Sequence, residues 1–259
     1  MASIPPSDAD RTSPAAEYWV SSRQPLVSLV FVAPLLAIYE AGVIVLGPKA
    51  VRNGADMWLR GLLEWMDFGN YFLLPALVVG ILLGWHYTMR QPWRVSRPVL
   101  WGMVAECLVL SLCLRGLSYV AAFALQAAVG LMSPAKAAAL ASQPPGSLAR
   151  LIGFLGAGVY EELLFRLILL CAAIWLIRRS GLSGRTSTVA AVLATSAIFA
   201  AAHYVGPYGD AIAWRDFTFW YGILFRFVAG VFFSVLFVFR GFGIAAGAHA
   251  GYDILVKVL

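Results

Sequence analysis

The sequence predicts an all-α, polytopic bundle of about seven to eight transmembrane helices with one amphipathic helix at the interface. Two observations carry this expectation. The first is composition: of 259 residues, 61% are hydrophobic and 12% charged, with a mean hydropathy of +0.81. Soluble domains carry roughly 45–50% apolar and about 25% charged residues. A water-soluble fold of this size lacks the polar surface to cover so much apolar side chain. Helices in a bilayer turn that surface to lipid and satisfy their own backbone hydrogen bonds. The second observation is that apolar runs near the span length of about 20 residues recur along the chain, separated by short basic clusters.

The elements follow in order. Residues 1–25 are polar, contain Pro5, Pro6 and Pro14, and lack the basic-then-apolar layout of a signal peptide. They read as a flexible tail, and residues 26–259 as the transmembrane domain. The first span runs from Leu26 to Leu46, interrupted by Pro34 and Glu40. Val51 to Phe68 mixes Trp58, Leu59, Leu62, Leu63 and Trp65 with Arg52, Asp56, Arg60 and Glu64, the mark of an interfacial amphipathic helix. The second span covers Tyr71–Thr88, and the third Val99–Val129 with Glu106 and Arg115 inside it. A loop with Ser133-Pro134 and Pro144-Pro145-Gly146 follows. The fourth span is Leu148–Ile177, the fifth Thr188–Val205, the sixth Phe217–Phe239, and the last segment Phe242–Leu259. Gly181-Leu182-Ser183-Gly184 lies among Arg178, Arg179 and Arg185 and reads as a turn in a wet loop, not as a serine-protease motif.

The net charge is +6 and the pI about 9.4. The basic residues fall between apolar stretches and are not interleaved with aromatics, so they point to topology and anionic lipid, not nucleic acid. Arg90, Arg94 and Arg97, then Arg178, Arg179 and Arg185, then Arg240 lie in alternate loops, which predicts one cytoplasmic face. Arg11 and Arg23 place the N-terminus on that face, in a plasma or inner membrane, although Lys49, Arg52 and Arg60 fall on the other side. Cys107, Cys113 and Cys171 sit in apolar segments without metal-type spacing and imply no disulfide framework.

The informative residues are the polar ones inside apolar spans. A charged group there costs roughly 2.5–3.5 kcal/mol on insertion scales and needs a partner. In Tyr160-Glu161-Glu162-Leu163-Leu164-Phe165-Arg166, adjacent residues point about 100° apart, so the two carboxylates diverge. Glu162 and Arg166, four apart, suit an ion pair, which leaves Glu161 to face a cavity. Phe199-Ala200-Ala201-Ala202-His203 places a ring and an imidazole on one face, with small residues for close helix approach. His249-Ala250-Gly251-Tyr252-Asp253 places an imidazole and a carboxylate together. Taken singly, each has a bland reading as a buried structural residue. His203 lies near the end of its span and Glu161 near the middle of its own, so their meeting requires offset or tilted helices.

In order and spacing the three clusters resemble the EExxxR, FxxxH and HxxxN/D motifs of the CAAX-protease and bacteriocin-processing family of intramembrane endopeptidases. The resemblance covers about 100 residues of the C-terminal half, with the catalytic helices expected in 148–259. It implies that Glu161 activates a water for attack on a peptide carbonyl, and that His203 and His249 orient the water and stabilise the oxyanion. Asp253 would hold His249 or bind the intermediate, while Glu162, Arg166, Phe199 and Arg226 support the site. Such chemistry is physically reasonable, because donors fixed in a dry site stabilise developing charge better than water does. A metal-free, glutamate-dependent mechanism is favoured. Zinc, held by His203, His249 and Asp253, is the alternative. The implied partners are bilayer lipid and a membrane-associated peptide or protein substrate, prenylated CAAX proteins being the class in the family's name. Two other functions remain open. One is a non-catalytic scaffold or immunity protein of the same fold. The other is a proton- or ion-coupled transporter, against which stands the lack of an internal repeat.

Overall fold

The computed structural model describes residues 13–129, 148–206 and 209–258. The loop expected around Ser133-Pro134 and Pro144-Pro145-Gly146 lies outside them, as do residues 1–12 of the expected tail. Among the described residues the architecture is entirely helical. Within the segment expected as a tail, Pro14–Ser21 form a helix, α1, capped by the Ser13 hydroxyl accepting from the Ala16 amide at 3.2 Å. Then come α2 (Pro25–Leu46), α3 (Gly54–Trp65), α4 (Leu73–Thr88) and α5 (Arg97–Val129). Pro34 leaves α2 unbroken.

The second half begins with α6 (Leu148–Glu162), which runs on through a π-helical stretch, Leu163–Leu170, into α7 (Cys171–Arg178). A turn containing Gly181 at φ +83° leads to α8 (Gly184–Ala202), capped by Ser183. The chain closes with α9 (Phe217–Arg240) and α10 (Phe242–Val258). Gly181-Leu182-Ser183-Gly184 is therefore a turn and a helix cap.

Among the described residues, four helices are long and apolar enough to cross a bilayer by length and composition: Pro25–Lys49, Arg97–Ala124, Gly184–Ala202 and Phe217–Arg240. That is fewer than the about seven to eight expected, for identifiable reasons. α4 is apolar but has only 16 residues. The α6–α7 rod is interrupted by Arg150, Glu161, Glu162 and Arg166. α10 has 17 residues and is the bundle's central helix, with Phe242, Ile244, Ala245, Ala246 and Ala248 wholly buried. It packs on α2, α5, α6 and α9. Glycines permit this. A Cβ on Gly158 of α6 would lie 2.7 Å from the Ala246 carbonyl, and one on Gly251 would lie 2.6 Å from the Ser111 hydroxyl of α5. Small residues at such crossings let transmembrane backbones approach closely.

Two polar features depart from expectation. α3 turns part of its polar side inward: Asp56 is fully buried and Arg60 faces inward, while Leu62, Trp65 and Trp58 are exposed. Asp56 and Arg60 find partners in the protein beside the buried Ala55 and Leu59, while the large apolar side chains of Trp58, Leu62 and Trp65 face outward. Arg240, expected as a loop charge, is 3% exposed. Its guanidinium donates to both Glu106 oxygens at 2.6 Å and to the Ser22 hydroxyl at 2.9 Å, and it stacks over Trp19. The Tyr18 hydroxyl donates to the same carboxylate. These contacts bind α1 to α5 and α9. Burial, together with the hydrogen bond to Glu106, pushes the Tyr18 phenol well above its usual range.

Candidate active site

Three elements deliver the polar residues singled out by their sequence pattern. Glu161 and Glu162 are the last residues of α6, with Arg166 in the π stretch that follows. π segments are frequent at functional sites because the extra residue redirects side chains. His203 caps the C-terminus of α8, and His249 and Asp253 lie one turn apart on α10. The depth mismatch between Glu161 and His203 resolves by offset: α8 ends at the level where α6 gives way to the π stretch.

The two glutamates diverge. Glu162 is fully buried. Its Oε1 lies 3.0 Å from Arg166 Nη1 and accepts from His249 Nδ1 at 2.7 Å. Arg166 also donates to the Gly230 carbonyl at 3.3 Å and lies over the Phe199 ring at 4.3 Å. A buried charge so surrounded is held by its partners, since losing any one leaves the others uncompensated. Glu161 lines a cavity of about 900 Å³ shared with His203, His249, Asp253, Phe199 and Phe233. Its Oε2 is buried and makes no hydrogen bond within the protein.

The imidazoles are oriented by bonds at their far nitrogens. His203 Nδ1 donates to the Phe199 carbonyl at 2.8 Å, and His249 Nδ1 to Glu162. In both rings Nε2 therefore faces the cavity, and each Nε2 lies 3.9 Å from Glu161 Oε2. That is too long for a direct hydrogen bond and is the kind of polar gap a water can bridge. Asp253 Oδ2 lies 3.8 Å from His249 Nε2. Phe199 stands edge-on to His203 at 4.8 Å, and Phe233 stacks on His249 at 4.4 Å. These rings restrict the imidazoles to one plane each.

Not every singled-out residue meets Glu161. Arg226 lines the cavity but pairs with Asp210 and lies over the Tyr204 ring, away from the carboxylate. Phe233 carries no sequence signal, because a phenylalanine in an apolar span looks like any lipid-facing neighbour. Arg115 and Arg150 also line the cavity. His86, the third histidine, is buried against Trp93 and takes no part. Among the described residues no group of three or more His, Cys, Asp or Glu is arranged to hold a metal ion.

The fold and site thus define a helical integral membrane protein with a buried glutamate and two imidazoles around one cavity. Residues 144–255 match the family model described as type II CAAX prenyl endopeptidase Rce1-like. This segment contains all three motifs, and over it the resemblance to the CAAX-protease and bacteriocin-processing family is borne out. The match supports a membrane-embedded protease. No curated protein and no solved structure matches the chain.

Proposed function

We propose that this protein is an intramembrane endopeptidase that hydrolyses a peptide bond in a membrane-associated substrate by glutamate-activated water. The observation that supports this best is the pair of 3.9 Å gaps between Glu161 Oε2 and the two Nε2 atoms, at the wall of the cavity. A water held between these three atoms is deprotonated by Glu161, and its oxygen bonds to the substrate carbonyl carbon. Donation from His249 Nε2 supports the oxyanion, with Glu162 behind the ring to balance the imidazolium. His203 Nε2 orients the water. As the C–N bond breaks, Glu161 returns the proton to the leaving amine. Asp253 keeps His249 in register. Arg166 and Phe199 hold the parts in place, and Arg226 shapes the cavity mouth. No metal is required by this sequence of steps. Zinc on His203, His249 and Asp253 is the competing chemistry.

The family description supports prenylated CAAX-type proteins as the substrate class. Alternating basic clusters at Arg90–Arg97 and Arg178–Arg185 support a cytoplasmic N-terminus in the plasma or inner membrane.

The test is purified wild type against Glu161→Gln in proteoliposomes, on membrane peptides with and without a prenyl group and with and without chelator. We expect cleavage by wild type, loss of at least about 100-fold in the variant, and indifference to chelator. Full activity in Glu161→Gln would end the mechanism, and loss of activity on chelation would transfer it to a metal.

A further inference from the structure

A second buried polar cluster lies beside the cavity, where α2, α3 and α6 meet. Arg60 donates to both Glu40 oxygens at 3.0 and 3.2 Å, to Asp56 Oδ1 at 2.7 Å and to the Tyr71 carbonyl at 2.6 Å. Asp56 Oδ2 accepts from the Tyr39 hydroxyl at 3.0 Å and from Arg52 at 2.8 Å. Glu40 accepts from the Tyr160 hydroxyl. Asp56, Tyr39 and Tyr160 are wholly buried, and Glu40 nearly so. Apolar residues could join three helices at least as firmly, because desolvating charges costs what pairing returns. The cluster is therefore poorly explained by adhesion alone.

Its end point offers the explanation. Tyr160 immediately precedes Glu161, and successive helix residues point about 100° apart. A hydroxyl anchored on the α2 side fixes the rotation of α6 that aims the next side chain into the cavity. The depth of α6 is set nearby: Gly156 lies under the Tyr39 ring, where a Cβ would come within 2.3 Å, and Gly158 lies against α10. Arg52 also lines the cavity, so the cluster borders the same hollow.

We propose that the Glu40–Arg60–Asp56 cluster, acting through the Tyr160 hydroxyl, sets the rotation of α6 that places Glu161 between the two imidazoles. Glu40 and Tyr160 are thus positioning residues for the reaction, and the inference rests on the function proposed above. A carboxylate displaced by about 1 Å from its working position loses on the order of 100-fold in rate. The cavity walls that bind substrate stay as they are.

The test compares Tyr160→Phe, Glu40→Gln and the double variant in proteoliposomes, with kcat and KM separated. Tyr160→Phe removes one oxygen and keeps the ring that stands edge-on to Tyr39. Expected are a roughly 10- to 100-fold fall in kcat with KM unchanged in Tyr160→Phe, and a double variant no worse than the lower single, because Glu40 acts on Glu161 only by way of Tyr160. Wild-type kcat in Tyr160→Phe, losses that multiply, or a change confined to KM would overturn the proposal. Labelling of Glu161 by a hydrophobic carbodiimide, read by mass spectrometry, gives a measure independent of turnover. Its rate should change several-fold in Tyr160→Phe, and an unchanged rate refutes positioning even if the protease reading fails. Should Tyr160→Phe not fold, Glu40→Gln carries both measurements with the same criteria.

Discussion

Replacing Gly158 by alanine tests whether the spacing of α6 and α10 sets the site. A Cβ there would stand 2.7 Å from the Ala246 carbonyl and the Ala250 Cβ, and 2.8 Å from the Ala250 amide. Ordinary contact begins near 3.4 Å, and backbone cannot swing aside as a side chain can, so the two helices must part by roughly 0.7 Å. Ala250 adjoins His249, and the displacement acts directly on the bond from His249 Nδ1 to Glu162, now 2.7 Å. Lengthened by roughly that amount it passes beyond the usual range of 2.7–3.2 Å and weakens. We expect an overpacking cost of about 1–3 kcal/mol and a fall in turnover of roughly 10- to 100-fold. Peptide turnover in proteoliposomes and thermal unfolding in detergent read the two effects. Gly84→Ala is the control: nothing lies within 4 Å of its added methyl, and it should match or slightly exceed wild type. A Gly158→Ala protein with wild-type turnover and melting would refute the claim that close helix approach sets the site.

Arg166→Met should destabilise by about 3–5 kcal/mol, because Glu162 would remain buried with His249 as its partner; chemical unfolding in mixed micelles measures this, and wild-type stability would contradict it. Gly241→Ala should cost about 1–3 kcal/mol, since its φ of +84° and ψ of 179° suit glycine alone and the new methyl would meet the Arg23 carbonyl at 3.2 Å. The same unfolding assay should show that loss with little change in KM.

The membrane class and the three polar clusters were legible because they rest on local signals: composition, run length, and spacing on a single helix. Glu162 with Arg166 is of this kind, as four residues on one helix determine that they meet. Bonds between helices leave no such trace. Nothing in the neighbourhood of His249 announces that its Nδ1 belongs to Glu162, or that Phe233 lies flat against it. Among the described residues fewer helices than the about seven to eight expected have the length and apolarity of a lone span, because apolarity is shared by helices facing lipid and by helices wrapped in protein, and α10 is of the second kind. The sign of α3 was hidden for a related reason. Amphipathicity shows that a helix has two faces, while only the surrounding medium decides which one turns inward.

The Arg240 clasp constrains the order in which the chain can be secured during synthesis. Glu106 is delivered to the membrane with α5, more than a hundred residues before its guanidinium partner emerges. Until then its carboxylate lacks that guanidinium, and an unpaired charge within the bilayer costs roughly 2.5–3.5 kcal/mol on insertion scales. α1 therefore acquires its permanent berth only once α9 has been made. Insertion of α9 is the event that locks α1 and α5 together through Arg240.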